Sequence, residues 1–201
     1  AAEAPPRRHF ALQPLTPQES DQLLGLLLTE VPAPPELLAR ILERTNGNPL
    51  LMEEVVKMLM DQGIIRPAAA SGWEVTPQWA EAVRQVPETL NGLILGRYDR
   101  LPATLKHSLD AAAVLGNSFS LPLLLGITGQ PEPELRRDLI SLEQADFLRR
   151  APGTGLPVYV FRHWLMQEAI YQTILQKERR ALHLRAAQVI QQMAESLALD
   201  M

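Results

Sequence analysis

Few residues of this sequence stand where they could do chemistry. His107, Ser108 and Asp110 have the types of a nucleophilic triad, but adjacent positions of one helical segment point to different faces, so no triad forms. His9, His107, His163 and His183 have no metal-ligand spacing. With no cysteine, disulfides, thiolate catalysis and zinc–thiolate sites are excluded. Glu53-Glu54 reads as charge favouring the early turns of a helix, not as acid/base machinery. No GxxxxGK[ST] occurs, so the chain cannot by itself cradle β- and γ-phosphates or hold Mg²⁺ in the usual way.

Two stretches remain. In ERTNGNPL (43–50), Gly47-Asn48-Pro49 separates two helical patterns. It is either a turn with an N-cap or a rigid proline presented to a ligand, and the two are compatible. In FRH, Arg162 and His163 precede a helix, whose first N–H groups favour anions and could act with an imidazole donor. The plainer alternatives are a histidine satisfied by a backbone carbonyl and an arginine pointing to solvent.

The elements that must position these residues are mostly helical. Residues 1–15 read as an extended connector. Thr16-Pro17-Gln18-Glu19 is a capping box with proline at the first helical position, and Leu23, Leu24, Leu27 and Leu28 supply one apolar face. A second helix turns Leu37, Leu38, Ile41 and Leu42 inward. A third starts with Asn48 as N-cap, buries Leu51, Val55 and Leu59, and stops at Gly63. Ile64-Ile65-Arg66 and Trp73-Glu74-Val75 read as a small hairpin. Beyond Pro87, helical spacing returns in four segments: Leu90/Ile94/Tyr98/Leu101, Leu105/Leu109/Ala112/Leu115, a short one opened by Phe119-Ser120, and Leu135/Leu139/Leu142. The period then changes: 147–150 and 157–161 read as strand, turn, strand. Helices followed by a two-stranded wing are the layout of a winged helix. Met166, Ile170 and Ile174 mark the next helix, and Leu182, Ala186, Val189, Met193 and Leu197 the last.

The composition is that of a globular protein: 201 residues, 46% hydrophobic and 21% charged. A net charge of -4 opposes a chain-wide nucleic-acid or anionic-membrane surface. Arg149, Arg150, Arg162, Lys177, Arg179, Arg180 and Arg185 nevertheless make the later region basic. Sequence-specific DNA binding is opposed by Glu132, Glu134, Asp138 and Glu143 on the prospective recognition helix, which would repel phosphates. There is no signal-peptide pattern and no apolar run of membrane-spanning length, so the expected setting is cytoplasmic. Opening on Ala1-Ala2 without Met, the chain reads as a piece of something longer.

Taken in order, GNPLLMEEVVKML, VPETLNGLILGRYDRLP, YVFRHWLMQEAIYQTI and RRALHLRAAQVI resemble the multidomain signal-transduction ATPases, the STAND class of AAA-like NTPases. The nearest likeness is to the ATPase regions attached to bacterial adenylate/guanylate cyclases and to large LuxR-type regulators, and it spans roughly residues 12–190. The resemblance implies a mainly α chain lying just after a P-loop domain. Residues 1–15 are then the connector, 16–85 a helical lid, 86–175 a winged helix and 176–201 the start of a helical arm. It implies ATP/ADP as the ligand, with Mg²⁺ held only through the missing domain. Gly47, Asn48 and Pro49 fall on the lid segment whose proline packs on adenine, and His163 falls on the histidine that donates to the β-phosphate of ADP. Arg162 is a second candidate anion contact. Trp164 stands where plant and animal relatives carry an acidic residue, which leaves the histidine without that support. The expected role is a non-catalytic, nucleotide-sensing fragment of an ATPase, relaying its state to an effector such as a cyclase. The alternative is a protein- or DNA-interaction module with no nucleotide role.

Overall fold

The computed structural model describes residues 11–28, 31–68, 72–153 and 155–199, with residues 197–199 described by backbone alone. The basic part of the connector with His9, the loop residues 69–71, Thr154 of the wing turn and the side chain of Leu197 lie outside the described residues. The chain is mainly α, as expected, with two small antiparallel sheets. It divides into two compact units, Ala1–Leu93 and Ile94–Met201. No described helix is long and apolar enough to cross a membrane.

In the first unit, α1 (Pro17–Leu27) starts at the expected capping box. The Thr16 amide donates to Glu19 Oε2 at 2.8 Å, and the Glu19 amide donates to Thr16 Oγ1 at 3.3 Å. Two otherwise orphaned N–H groups are thereby satisfied. α2 (Pro35–Thr45) buries Leu37 and Ile41, and α3 (Pro49–Asp61) packs against both α1 and α2. α3 is buried well beyond the expected Leu51/Val55/Leu59 stripe, because Met52, Val56 and Met58 are also covered. It is the central helix of its unit, and a helix apolar around most of its circumference belongs inside.

Glu53 and Glu54 fall in the second turn of α3, and Glu54 is fully buried with Lys57 Nζ 3.4 Å away rather than being a solvated charge. The hairpin forms as β1 (Ile65–Pro67) and β2 (Trp73–Val75), with Arg66 opposite Glu74 and their side chains 2.6 Å apart. A short helix, α4 (Trp79–Arg84), then buries Ala82 and Val83. Its six residues are too few to display a period, and the sequence offers no sign of it.

After α5 (Leu90–Asp99), the second unit is built from α6 (Ala103–Leu115), β3 (Ser118–Ser120), α7 (Leu121–Thr128), α8 (Glu132–Gln144), β4 (Leu148–Arg150) and β5 (Val158–Phe161). The strand order is β3-β5-β4, antiparallel throughout. Three helices with such a sheet make a winged helix. The sheet has three strands rather than the expected two: Ser120 opens the short helix α7 as its N-cap, as expected, but Phe119-Ser120 also belong to β3, with Phe119 opposite Tyr159. A Ser-Phe-Ser alternation is too short to reveal its period before its partner strand is known. α8 is held by Leu135, Leu139 and Leu142, all fully buried. Each contributes about 1.5–3 kcal/mol by leaving water.

α9 (Trp164–Thr173) and the 24-residue α10 (Gln176–Leu199) complete the second unit. α10 packs on α6 and α7, and the glycine at Gly126 permits it: a Cβ there would stand 2.5 Å from Val189 Cγ1.

Candidate functional site

The stretch ERTNGNPL is one turn doing two capping jobs. Asn46 adopts a left-handed conformation (φ 50°) and closes α2 by donating its amide to the Leu42 carbonyl. Asn48 opens α3, its side chain accepting from the Leu51 amide at 3.1 Å. Gly47 between them is also left-handed (φ 73°) and buried. Its carbonyl accepts from the Leu15 amide at 2.8 Å, and a Cβ on Gly47 would collide with the Leu15 carbonyl oxygen. Glycine is therefore required twice, by its φ and by the strand of connector lying on it.

Of the three residues expected to meet a ligand, Gly47 is committed to Leu15, and the Asn48 side-chain oxygen is committed to its cap. Pro49 is exposed, with its N–H-less ring at the first position of α3. Beside the turn lies a cavity of 360 Å³ lined by Leu15, Pro17, Ser20, Leu42, Asn46 and Gly47.

Arg162 and His163 connect β5 to α9 in the second unit. His163 occupies the N-cap position in an extended conformation (φ -139°, ψ 140°), and its main-chain carbonyl accepts from the Met166 amide at 2.9 Å. The imidazole does not cap the helix; the residue is half-buried and its Nε2 is out of water. Arg162 is exposed and does have a carboxylate nearby, with Nε 3.5 Å from Asp146 Oδ1. An incoming anion would compete with that carboxylate. Trp164 follows with 64% of its surface exposed, a flat apolar face next to the histidine that the motif reading treats only as a missing acid.

The rejected triad stays apart. Ser108 is fully buried, 2.7 Å from Asp138 Oδ2 and 3.1 Å from Gln130 Oε1, while His107 is exposed on another face of α6. No group of His, Asp and Glu suited to a metal ion occurs among the described residues. His107, Asp110 and Glu178 border a cavity of 150 Å³. There the Tyr98 hydroxyl donates to Asp110 Oδ1 at 2.8 Å. Burial pushes the Asp110 carboxyl above its ordinary value, although the Tyr98 bond opposes this. Burial and then the Asp110 bond push the Tyr98 hydroxyl upward too.

Gln176, Arg179, Arg180 and His183 line an open cavity of 740 Å³ on α10, a grouping that the sequence presents only as part of a basic region. Their spacing was visible, but Tyr171 on α9, which organises them, is separated from them by the α9–α10 corner.

No family model matches the chain. It is 28% identical over 159 residues to an uncharacterised protein of Rhizobium meliloti (strain 1021), an alignment that takes in 79% of this chain. The chain spans 15% of the length of that curated relative, so the likeness is to a small part of a much longer protein.

Proposed function

We propose that this chain is the nucleotide-sensing part of a signal-transduction ATPase switch, acting with a P-loop domain that grips the phosphates and Mg²⁺. The observation that carries the reading is the division of labour at the turn. Gly47 and Asn48 are spent on holding the backbone, and Pro49 is left as a rigid, exposed apolar ring. Each unit is assigned one nucleotide contact in this reading. Pro49 offers a surface for the base, and His163 offers an imidazole at a helix start for a phosphate. The grip itself is absent, since the sequence has no P-loop.

In this reading ADP holds the closed state through Pro49 and His163, and exchange for ATP releases it. The shift requires that the histidine meet the phosphates in one state only, because a ligand moves an equilibrium solely by its differential affinity. The released state passes the signal to an effector such as a nucleotide cyclase.

The test uses the protein that carries this chain together with its P-loop domain. Pro49→Ala combined with His163→Ala should weaken ADP binding about tenfold or more and raise basal output, as loss of a charge-assisted hydrogen bond and a stacking surface predicts. Unchanged ADP affinity and output would exclude the switch. The 201-residue chain alone should bind ATP weakly or not at all in calorimetry; tight binding would move the site elsewhere.

The competing interaction-module reading is weakest for DNA. The third helix of the winged helix, α8, carries Glu132, Glu134, Asp138 and Glu143, and its Arg136 is 2.6 Å from Glu132. Salt-dependent binding of the chain to duplex DNA would favour that module instead.

A further inference from the structure

The cavity on α10 has the makings of an anion site independent of the nucleotide reading. Arg179, Arg180 and His183 stand at i, i+1 and i+4, so Arg179 and His183 share a face one turn apart and Arg180 flanks them. Tyr171 fixes two of the three. The Arg179 guanidinium lies over its ring at 4.4 Å, and His183 Nε2 is 3.0 Å from its hydroxyl. Arg179 Nη2 also donates to the Ile174 carbonyl at 3.1 Å, while its buried Nε meets no acceptor among the described residues.

No carboxylate among the described residues lines this cavity. Glu178, the acidic neighbour in sequence, borders the separate cavity with His107 and Asp110. Whereas Arg162 and Arg136 lie beside carboxylates, neither Arg179 nor Arg180 forms an ion pair among the described residues. Two guanidinium groups without an ion pair among the described residues, one of them held by Tyr171, are therefore concentrated at one concavity in a chain of net charge -4.

We propose that this cavity, lined by Gln176, Arg179, Arg180 and His183, binds a small phosphorylated molecule through its phosphate. A phosphate dianion presents enough oxygens for two guanidinium forks and an imidazole donor together, whereas a carboxylate is satisfied by one fork. When the Tyr171 hydroxyl donates to His183 Nε2, the neutral ring carries its proton on Nδ1 and remains a donor. The concavity is open to solvent and leaves room beyond the phosphate for an organic body.

The test is a titration of the labelled chain with inorganic phosphate and with phenyl phosphate, at constant ionic strength set by chloride, reading the His183 ring and arginine side-chain resonances. Both probes should give saturable shifts, with phenyl phosphate at least as tight. Arg180→Ala and His183→Gln should each weaken binding about tenfold, the loss of one charge-assisted hydrogen bond. Arg179→Ala is the less useful variant, because it also removes the bond to Ile174. A lack of saturation, shifts reproduced by chloride alone, or unchanged affinity in correctly folded Arg180→Ala would overturn the proposal. A poly-glutamate peptide that binds where both phosphates fail would overturn it in favour of an acidic protein surface.

Discussion

The two units keep their buried polar groups in different ways. In the first, such groups bond close to home: Thr45 Oγ1 donates to the Ile41 carbonyl four residues back, and Glu54 lies beside Lys57 three residues on. Its longer side-chain bonds, from Arg44 to the Arg84 carbonyl and between Arg66 and Glu74, are exposed. The second unit has one such local bond, from Thr128 Oγ1 to the Leu124 carbonyl, and adds covered bonds that reach across the fold. Arg97, only 4% exposed, donates to the Ala145 carbonyl 48 positions along and lies 5.0 Å from the centre of the Phe147 ring. Ser108 meets Asp138 on α8, and the Gln167 amide donates to the Ala113 carbonyl on α6. A core joined by apolar shape accepts several packings at small cost, whereas distant polar partners are satisfied in one arrangement only. The winged helix is thus specified more sharply than the helical bundle before it.

The contrast is tested most strongly by Arg97→Ala against Thr45→Val. The first strands the Ala145 carbonyl and opens space beside Phe147, for an expected loss of about 3 kcal/mol. The second removes a local bond while nearly keeping shape, and should cost less than about 1 kcal/mol. Urea unfolding of both variants compares them directly; equal losses would dissolve the distinction. Next in size is Gly47→Ala, which imposes a left-handed alanine and a clash with Leu15, for about 2 kcal/mol. Faster hydrogen exchange at the Leu15 amide, with amides of the winged helix unaffected, is the expected signature.

The smallest effects depend on pH and have opposite signs in the two units. The Asp110 carboxyl is raised in the folded state, chiefly by burial, so its contribution is present below the ordinary carboxylate range and is lost as pH rises through the raised value. Asp110→Asn keeps an acceptor for Tyr98 and should make the protein slightly more stable at neutral pH, seen as a higher Tm. Glu19 is lowered by its bonds to the Thr16 amide and hydroxyl, so its contribution is present above the ordinary range and is lost on acidification. Thr16→Ala should therefore flatten the acid limb of the stability curve, while Asp110→Asn flattens the loss on the neutral side.

What could be read from the sequence follows the range of the forces involved. The Thr16 capping box, the Leu135/Leu139/Leu142 stripe and the Asn48 cap involve residues three or four apart, and all are found as expected. β3 and α4 were missed because three and six residues carry no period. Arg97 could not be recognised as buried, because its partners lie 48 and 50 residues away and nothing local distinguishes it from a surface arginine. At the candidate site, the sequence showed Pro49 leading a helix. It did not show that Gly47 is glycine because of Leu15, a contact across 32 residues of chain. The same limit hid the α10 cluster, whose order comes from Tyr171.

The Leu15–Gly47 bond also has a mechanical consequence. Two lengths of main chain, the residues leading into α1 and the turn leading into α3, are tied amide to carbonyl with no side chain between them. A pull on Leu15 is therefore shared between Thr16, its covalent neighbour at the start of α1, and the turn at Gly47. A displacement there would be delivered to Gly47 and, two residues on, to the exposed ring of Pro49.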